Sequence, residues 1–118
     1  MKILLDHCAP KRLKNEILKN GEHIVQTAYE RGWERLKNGE LLNAAEAEKF
    51  DLLLTVDQNL RYQQNLTGRT IRVAIFVAED NRFTTLAPFI PALEVALKNM
   101  EPGEVIRIGA PTPIIPTE

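Results

Sequence analysis

Short apolar runs alternate with amphipathic stretches along this chain, and most of the apolar runs end at a polar residue or a glycine. Lys2-Ile3-Leu4-Leu5 reads as a buried strand that runs into Asp6, because an apolar run this short and continuous suits a strand covered on both faces. Pro10 suits a first helical turn, and Leu13, Ile17 and Leu18 have helical spacing before Gly21, a C-cap candidate. His23-Ile24-Val25-Gln26-Thr27 predicts a second strand, and residues 29–38, punctuated by Gly32 and Gly39, an irregular connection or short helix. From Glu40 the apolar positions Leu41, Leu42, Ala45 and Phe50 predict an alanine-rich amphipathic helix.

Asp51-Leu52-Leu53-Leu54-Thr55-Val56 then predicts a third buried strand, again ending at an acid, Asp57. Residues 59–66 read as a short polar helix closed by Gly68, and Thr70-Ile71-Arg72-Val73-Ala74-Ile75-Phe76-Val77 as a fourth strand. Leu86, Phe89, Ile90, Leu93, Ala96, Leu97 and Met100 line one face of a predicted long helix, with Pro88 and Pro91 in its first turns. Pro102-Gly103 turns the chain into a last strand, Glu104-Val105-Ile106-Arg107-Ile108. Strands alternating with helices imply βαβ units joined by right-handed crossovers. The fold expected is therefore a three-layer α/β/α domain over residues 1–109, with a mainly parallel sheet of about five strands. Residues 110–118, with three prolines, read as an extended tail.

Composition narrows the function classes. With 118 residues there is room for one core. Fifteen basic residues against 16 acidic ones leave a net charge of -1, which disfavours a broadly basic nucleic-acid wrapper but permits a local basic patch. No apolar run approaches the ~18 residues of a membrane span, the N-terminal apolar run is too short for a signal-peptide core, and one cysteine makes no internal disulfide. A cytoplasmic domain without a membrane partner is expected.

Ligands of open α/β sheets bind at the carboxyl ends of the strands, near the switch in strand order. Asp6 and Asp57 fall at that edge, and Glu40, at the start of the intervening helix, is the third acid there. Two such charges about 4 Å apart repel by roughly 4 kcal/mol at an effective dielectric near 20, and a divalent cation removes that cost. Each acid also has a plainer reading: Asp57 as a helix N-cap or turn former, Glu40 as a first-turn acid favoured by the helix dipole. His7 and Cys8 beside Asp6 raise a nucleophile–base pair, but neighbours on an extended chain point apart, so local packing is the simpler reading.

The order Met1-Lys2-Ile3-Leu4-Leu5-Asp6, then Gly21-Glu22-His23-Ile24-Val25, then Leu52-Leu53-Leu54-Thr55-Val56-Asp57-Gln58-Asn59-Leu60, resembles a family of short bacterial PIN-like proteins over residues 1 to 80. The resemblance implies a parallel α/β fold that cleaves RNA with Mg²⁺ or Mn²⁺. It makes Asp6, Glu40 and Asp57 the catalytic, metal-binding acids, with Asn59 as a fourth ligand. It also suggests the toxin of a toxin–antitoxin pair, with a small antitoxin protein as partner. Departures from the family pattern are His7-Cys8 where Glu-Asn is usual, Asn38 at an often acidic position, and Asn59 in place of a second acid. They motivate an alternative, a catalytically weakened module that binds RNA or protein.

Lys11, Arg12, Arg61 and Arg69 are the candidate RNA-binding cations, because phosphate contacts need basic side chains near the active edge. Tyr29, Trp33 and Tyr62 are candidates to stack on unpaired bases. The outer face of the long helix suggests a homodimer. A third reading is a phosphoacceptor domain with Asp57 as acceptor. Such domains carry paired acids after strand one and a lysine after strand five, where this chain has Asp6 alone and Gly109-Ala110.

Overall fold

Five short apolar runs become five strands: β1 (Lys2–Leu5), β2 (Ile24–Thr27), β3 (Leu52–Thr55), β4 (Arg72–Val77) and β5 (Val105–Gly109). They were located in a computed structural model that describes residues 1–56 and 68–109. All pairings are parallel, in the order β2-β1-β3-β4-β5. The sheet needs helices on both faces, because β1 and β3 are buried on both. On one face α1 (Leu13–Asn20) and α4 (Ile90–Leu97) cover Ile3, Leu5, Leu52, Leu54, Ala74 and Phe76. On the other, α2 (Asn38–Ala47) lays Leu41, Leu42 and Ala45 against Leu4, Leu53, Val73 and Ile75. The three-layer α/β/α architecture is thus that expected from the alternation of elements.

A single hand for all crossovers is not. The β1–α1–β2 and β4–α4–β5 units use the same face of the sheet but step across it in opposite directions, so their hands are opposite. The β2–α2–β3 unit, stepping back over β1 on the other face, shares the hand of β1–α1–β2. The crossovers therefore do not all follow the preference of about 98% for one, right-handed, sense. On the face that α1 shares with α4, Leu54, Ala74 and Phe76 belong to the same core as Ile90, Leu93 and Leu97 of α4.

The predicted long helix over 86–100 is broken into α3 (Phe83–Leu86), a 3₁₀ turn (Ala87–Phe89) and α4. Pro88 and Pro91 each sit in the first positions of a new piece, where a missing N–H costs nothing. The apolar face survives the break: Leu86, Phe89, Ile90, Leu93, Leu97 and Met100 all reach the same core. Pro10 lies before α1 rather than in it, its carbonyl accepting from Leu13 N–H at 3.1 Å. Glu101-Pro102-Gly103-Glu104 forms the expected turn, closed by Glu104 N–H to Glu101 O at 3.1 Å, and Gly103 takes the φ of +82° that this turn requires. Gly21 follows α1 in an extended conformation, and what selects glycine there is crowding. A Cβ would lie 2.9 Å from His23 Nε2 and 3.0 Å from Glu94 Oε1, the two atoms of a 2.9 Å pair tying β2 to α4. The short helix expected over 59–66 and the tail over 110–118 lie outside the described residues.

At the amino edge of the sheet, Glu46 of α2 fastens the chain entering β4. Its carboxylate accepts from Arg69 Nη1 at 2.6 Å and from the N–H groups of Thr70 and Ile71 at 2.9 and 3.3 Å. Burial pushes its pKa up, but these donors outweigh burial and hold it below the ordinary value of 4.5. A carboxylate with a depressed folded pKa stabilises the fold above its unfolded pKa, and the contribution is lost as pH falls through the folded value. Glu46→Gln should therefore cost about 1–2 kcal/mol at pH 7. In urea titrations at decreasing pH, the gap to wild type should close below pH 4.5.

Candidate functional site

The strand order changes direction between β1 and β3, which both begin from the middle of the sheet, and a cleft opens at their carboxyl ends. Its volume is about 710 Å³. Phe76, Val56, Leu36, Leu41 and Ala78 form apolar lining, and Asp6, His7, Cys8, Lys37, Glu79, Asp80 and Asn81 the polar part. Among the described residues no helix is long and apolar enough to cross a membrane.

Among the described residues Asp6 is the deepest acid, only 5% exposed. Its backbone N–H continues the sheet by donating to Leu54 O at 2.9 Å, and its carbonyl accepts from Ala9 N–H at 3.1 Å. That closes a four-residue turn, which folds His7 and Cys8 back onto the acid. His7 N–H donates to Asp6 Oδ1 at 2.8 Å, and the ring Nδ1 approaches the same oxygen at 3.1 Å. Thr55, from the neighbouring strand, donates its hydroxyl to Oδ2 at 2.7 Å, and Cys8 Sγ stands 3.6 Å from that oxygen. The expectation that His7 and Cys8 point away from Asp6 is corrected here, because the chain turns at once instead of staying extended. A thiolate nucleophile does not follow. Burial first, and then the Asp6 carboxylate, push the Cys8 pKa up, so the thiol keeps its proton.

Glu40 is at the predicted edge but does not line the cleft. It is exposed, and its Oε1 accepts from the N–H of Lys37, the N-cap residue of its own helix, at 3.4 Å. Its position is as expected; its side chain serves its own helix, and Lys37 and Gly39 from the same turn face the cleft instead. Asp57 and Asn59 lie outside the described residues, as do Arg61 and Tyr62. Among the described residues, no three His, Cys, Asp or Glu side chains are grouped as a metal ion would need.

Two acids of the cleft, Glu79 and Asp80, were not among the sequence candidates. They follow β4 at the same carboxyl edge, so the rule that selects Asp6 after β1 selects them as well. Asp80 Oδ1 accepts from Arg82 N–H at 2.9 Å, and that bond, followed by one from Thr85, holds its pKa below the usual range. Asn81 closes this side by donating from Nδ2 to Cys8 O at 3.1 Å.

The candidate cations separate. Lys11 and Arg12 stand in the turn between β1 and α1, at the carboxyl edge. Lys11 Nζ lies 4.9 Å from the Tyr29 ring centroid and the Arg12 guanidinium 4.1 Å from that of Phe83. Arg69 is at the opposite edge, just before β4 and paired with Glu46, so it does not share a surface with Asp6. Of the stacking candidates, Trp33 is half-buried, edge-on to Phe50 at 6.0 Å and covered by Arg31 at 4.7 Å. Tyr29 remains 61% exposed. No family model matches this sequence, and no curated protein or solved structure is similar enough to count as a match.

Proposed function

We propose that this protein is a divalent-cation-dependent phosphodiesterase of PIN type that cleaves RNA, with Asp6 as its anchoring acid. The observation that carries this reading is the setting of Asp6: buried at the β1/β3 switch point, fixed by Thr55 and His7, in a cleft that Glu79 and Asp80 also line. Three carboxylates against the one lysine of the lining make the cleft negative. A phosphodiester, itself negative, enters such a cleft only with compensating cations.

The oxygen donors suit a hard cation such as Mg²⁺ or Mn²⁺. Asp6 and Glu79 would hold it, with Asp57 and Asn59 as the further ligands that the resemblance suggests, and Glu40 as a ligand only if it leaves its helix cap. A cation there supplies neutralisation of the diester charge and an activated water. The chain's own part is positional. Thr55 and the His7 N–H keep the Asp6 carboxylate in one orientation, and Phe76, Val56 and Leu41 exclude water from beneath the substrate. The resemblance suggests a toxin whose small antitoxin partner, or a second copy of the chain, supplies target selectivity.

Incubation of single-stranded RNA with the protein and Mn²⁺ or Mg²⁺ is expected to yield cleavage that EDTA abolishes. Intact RNA with both metals, or cleavage that persists in EDTA, would overturn the reading. A second reading, a module that binds RNA or protein without cutting, is favoured by one specific observation. Glu40 is occupied as a helix cap, and Asp6 already has four donors around it, His7 N–H, His7 Nδ1, Thr55 and Cys8. Retained RNA binding with no heat of Mn²⁺ binding in calorimetry would select it.

A further inference from the structure

We propose that Tyr29, flanked by Lys11 and by Arg12, which Phe83 holds in place, forms a platform beside the cleft on which an unpaired base of a single-stranded RNA stacks. The proposal rests on RNA being the substrate, and it assigns the residues that grip the strand outside the reacting centre.

The platform's parts come from three connections that leave the same edge of the sheet. Lys11 and Arg12 follow the Asp6–Ala9 turn, Tyr29 follows β2, and Phe83 opens α3 two residues after Asn81. Asn81 lines the cleft and is hydrogen-bonded to the Cys8 carbonyl, so Phe83 and Arg12 continue from the two chain segments that this bond joins at the cleft. Arg12 then closes over the Phe83 ring at 4.1 Å. The platform is thus covalently continuous with the cleft wall at both Asp6 and Asn81.

Its chemistry favours a nucleic acid. Tyr29 is 61% exposed, and packing within this chain leaves most of its ring to solvent. Lys11 Nζ lies 4.9 Å from that ring. Among the described residues neither Lys11 nor Arg12 forms an ion pair with a carboxylate, whereas the neighbouring Lys14 is paired with Glu30 at 2.9 Å. Each of the two cations is instead held against an aromatic ring. A base that stacks on Tyr29 brings its phosphate within reach of the adjacent cations, the pairing of contacts that sequence-tolerant single-strand binders use. An acidic peptide would use the two cations and leave the exposed tyrosine without a role. The cleft itself is acidic, so its attraction for a polyanion must come from flanking cations such as these.

The test is fluorescence anisotropy of a labelled, mixed-sequence single-stranded RNA in EDTA, where cleavage plays no part. Tyr29→Ala is expected to weaken binding about 5- to 100-fold, the range for losing one stacked base, and Tyr29→Phe to stay within about twofold of wild type. Lys11→Gln should weaken binding and lower the slope of log affinity against log salt by about one. The same sequence as a duplex should bind more weakly than the single strand. Wild-type affinity in Tyr29→Ala, a duplex bound as tightly as the single strand, or a strand displaced equally well by an acidic peptide would each overturn the platform. Tyr29 is a surface residue, and circular dichroism of each variant verifies that the fold is intact. RNA that is bound through Tyr29 but never cut upholds the platform and removes the nuclease. RNA that is cut normally by a protein indifferent to Tyr29→Ala does the reverse.

Discussion

Asp6→Asn is expected to lower metal-dependent RNA cleavage by at least about 10²-fold, the cost typical of removing one positioned electrostatic group from an active site. The substitution changes little in volume and much in charge. Asp6 is 5% exposed, and its two oxygens face the Thr55 hydroxyl, the His7 N–H, the His7 ring and the Cys8 thiol. An amide keeps one acceptor oxygen; its NH₂ is accommodated on the Thr55 side, where the hydroxyl can accept instead of donate, but not on the side of the His7 N–H. Replacing charge-assisted bonds by neutral ones should cost about 1–3 kcal/mol of stability, measurable as a lowered urea midpoint. The two losses separate in one experiment, because cleavage can be assayed well below the melting temperature of the variant. Wild-type cleavage rates in a destabilised Asp6→Asn would mean that Asp6 is a structural acceptor at the strand end and that the chemistry lies elsewhere.

The legibility of this site divides along a physical line. Asp6 is readable as to edge because a short strand whose last three residues, Ile3, Leu4 and Leu5, are apolar runs straight into it, which puts the acid at the sheet's carboxyl edge. Glu40 is readable as to edge but not as to side chain. Its spacing of three from Lys37 lets it accept from that residue's N–H, a local bond that turns the carboxylate toward its own helix rather than the cleft. Glu79 and Asp80 follow the best-defined strand and obey the edge rule, yet residues 58–78 before them hold three arginines and no acid, and that stretch draws attention to its arginines instead. Arg69 belongs to that stretch, but it precedes β4, so it stands at the amino edge with Glu46. Charge clustering in sequence is no guide to which edge a residue occupies; its place before or after a strand is.

The helical pieces over 83–97 were legible in kind but not in continuity, because apolar spacing persists through Pro88 while the backbone restarts there. The difference in hand between β4–α4–β5 and β1–α1–β2 has no local signature, because it depends on which face of the sheet each helix packs against. These departures share a cause: periodicity records which residues are buried, and long-range packing decides where.

Phe76→Ala is expected to cause the larger structural loss, about 3–5 kcal/mol, because a fully buried aromatic leaves both its transfer energy and a cavity behind. Phe76 has 0% exposure, packs edge-on to Phe89 at 5.4 Å and 86°, and belongs to the core shared by α1, α4 and the sheet. For a chain of 118 residues a total stability of about 6–18 kcal/mol is typical, so the substitution removes a large share. Each kcal/mol lowers Tm by roughly 3–5 °C at this size, which predicts a drop of about 10–20 °C in a calorimetric scan. Phe76 is also unusual among core residues in lining the cleft. Its removal therefore opens a cavity against a polar site that water can enter, which limits collapse around the gap and favours the upper end of the range. Phe76→Leu separates the two roles. It keeps more of the volume and should cost less stability than Phe76→Ala, so cleavage lost by Phe76→Leu at a temperature where the variant stays folded would locate the effect at the floor of the cleft. A Tm within a few degrees of wild type in Phe76→Ala would instead show that Phe89 and Leu54 close over the gap, and that the floor is not held by this ring.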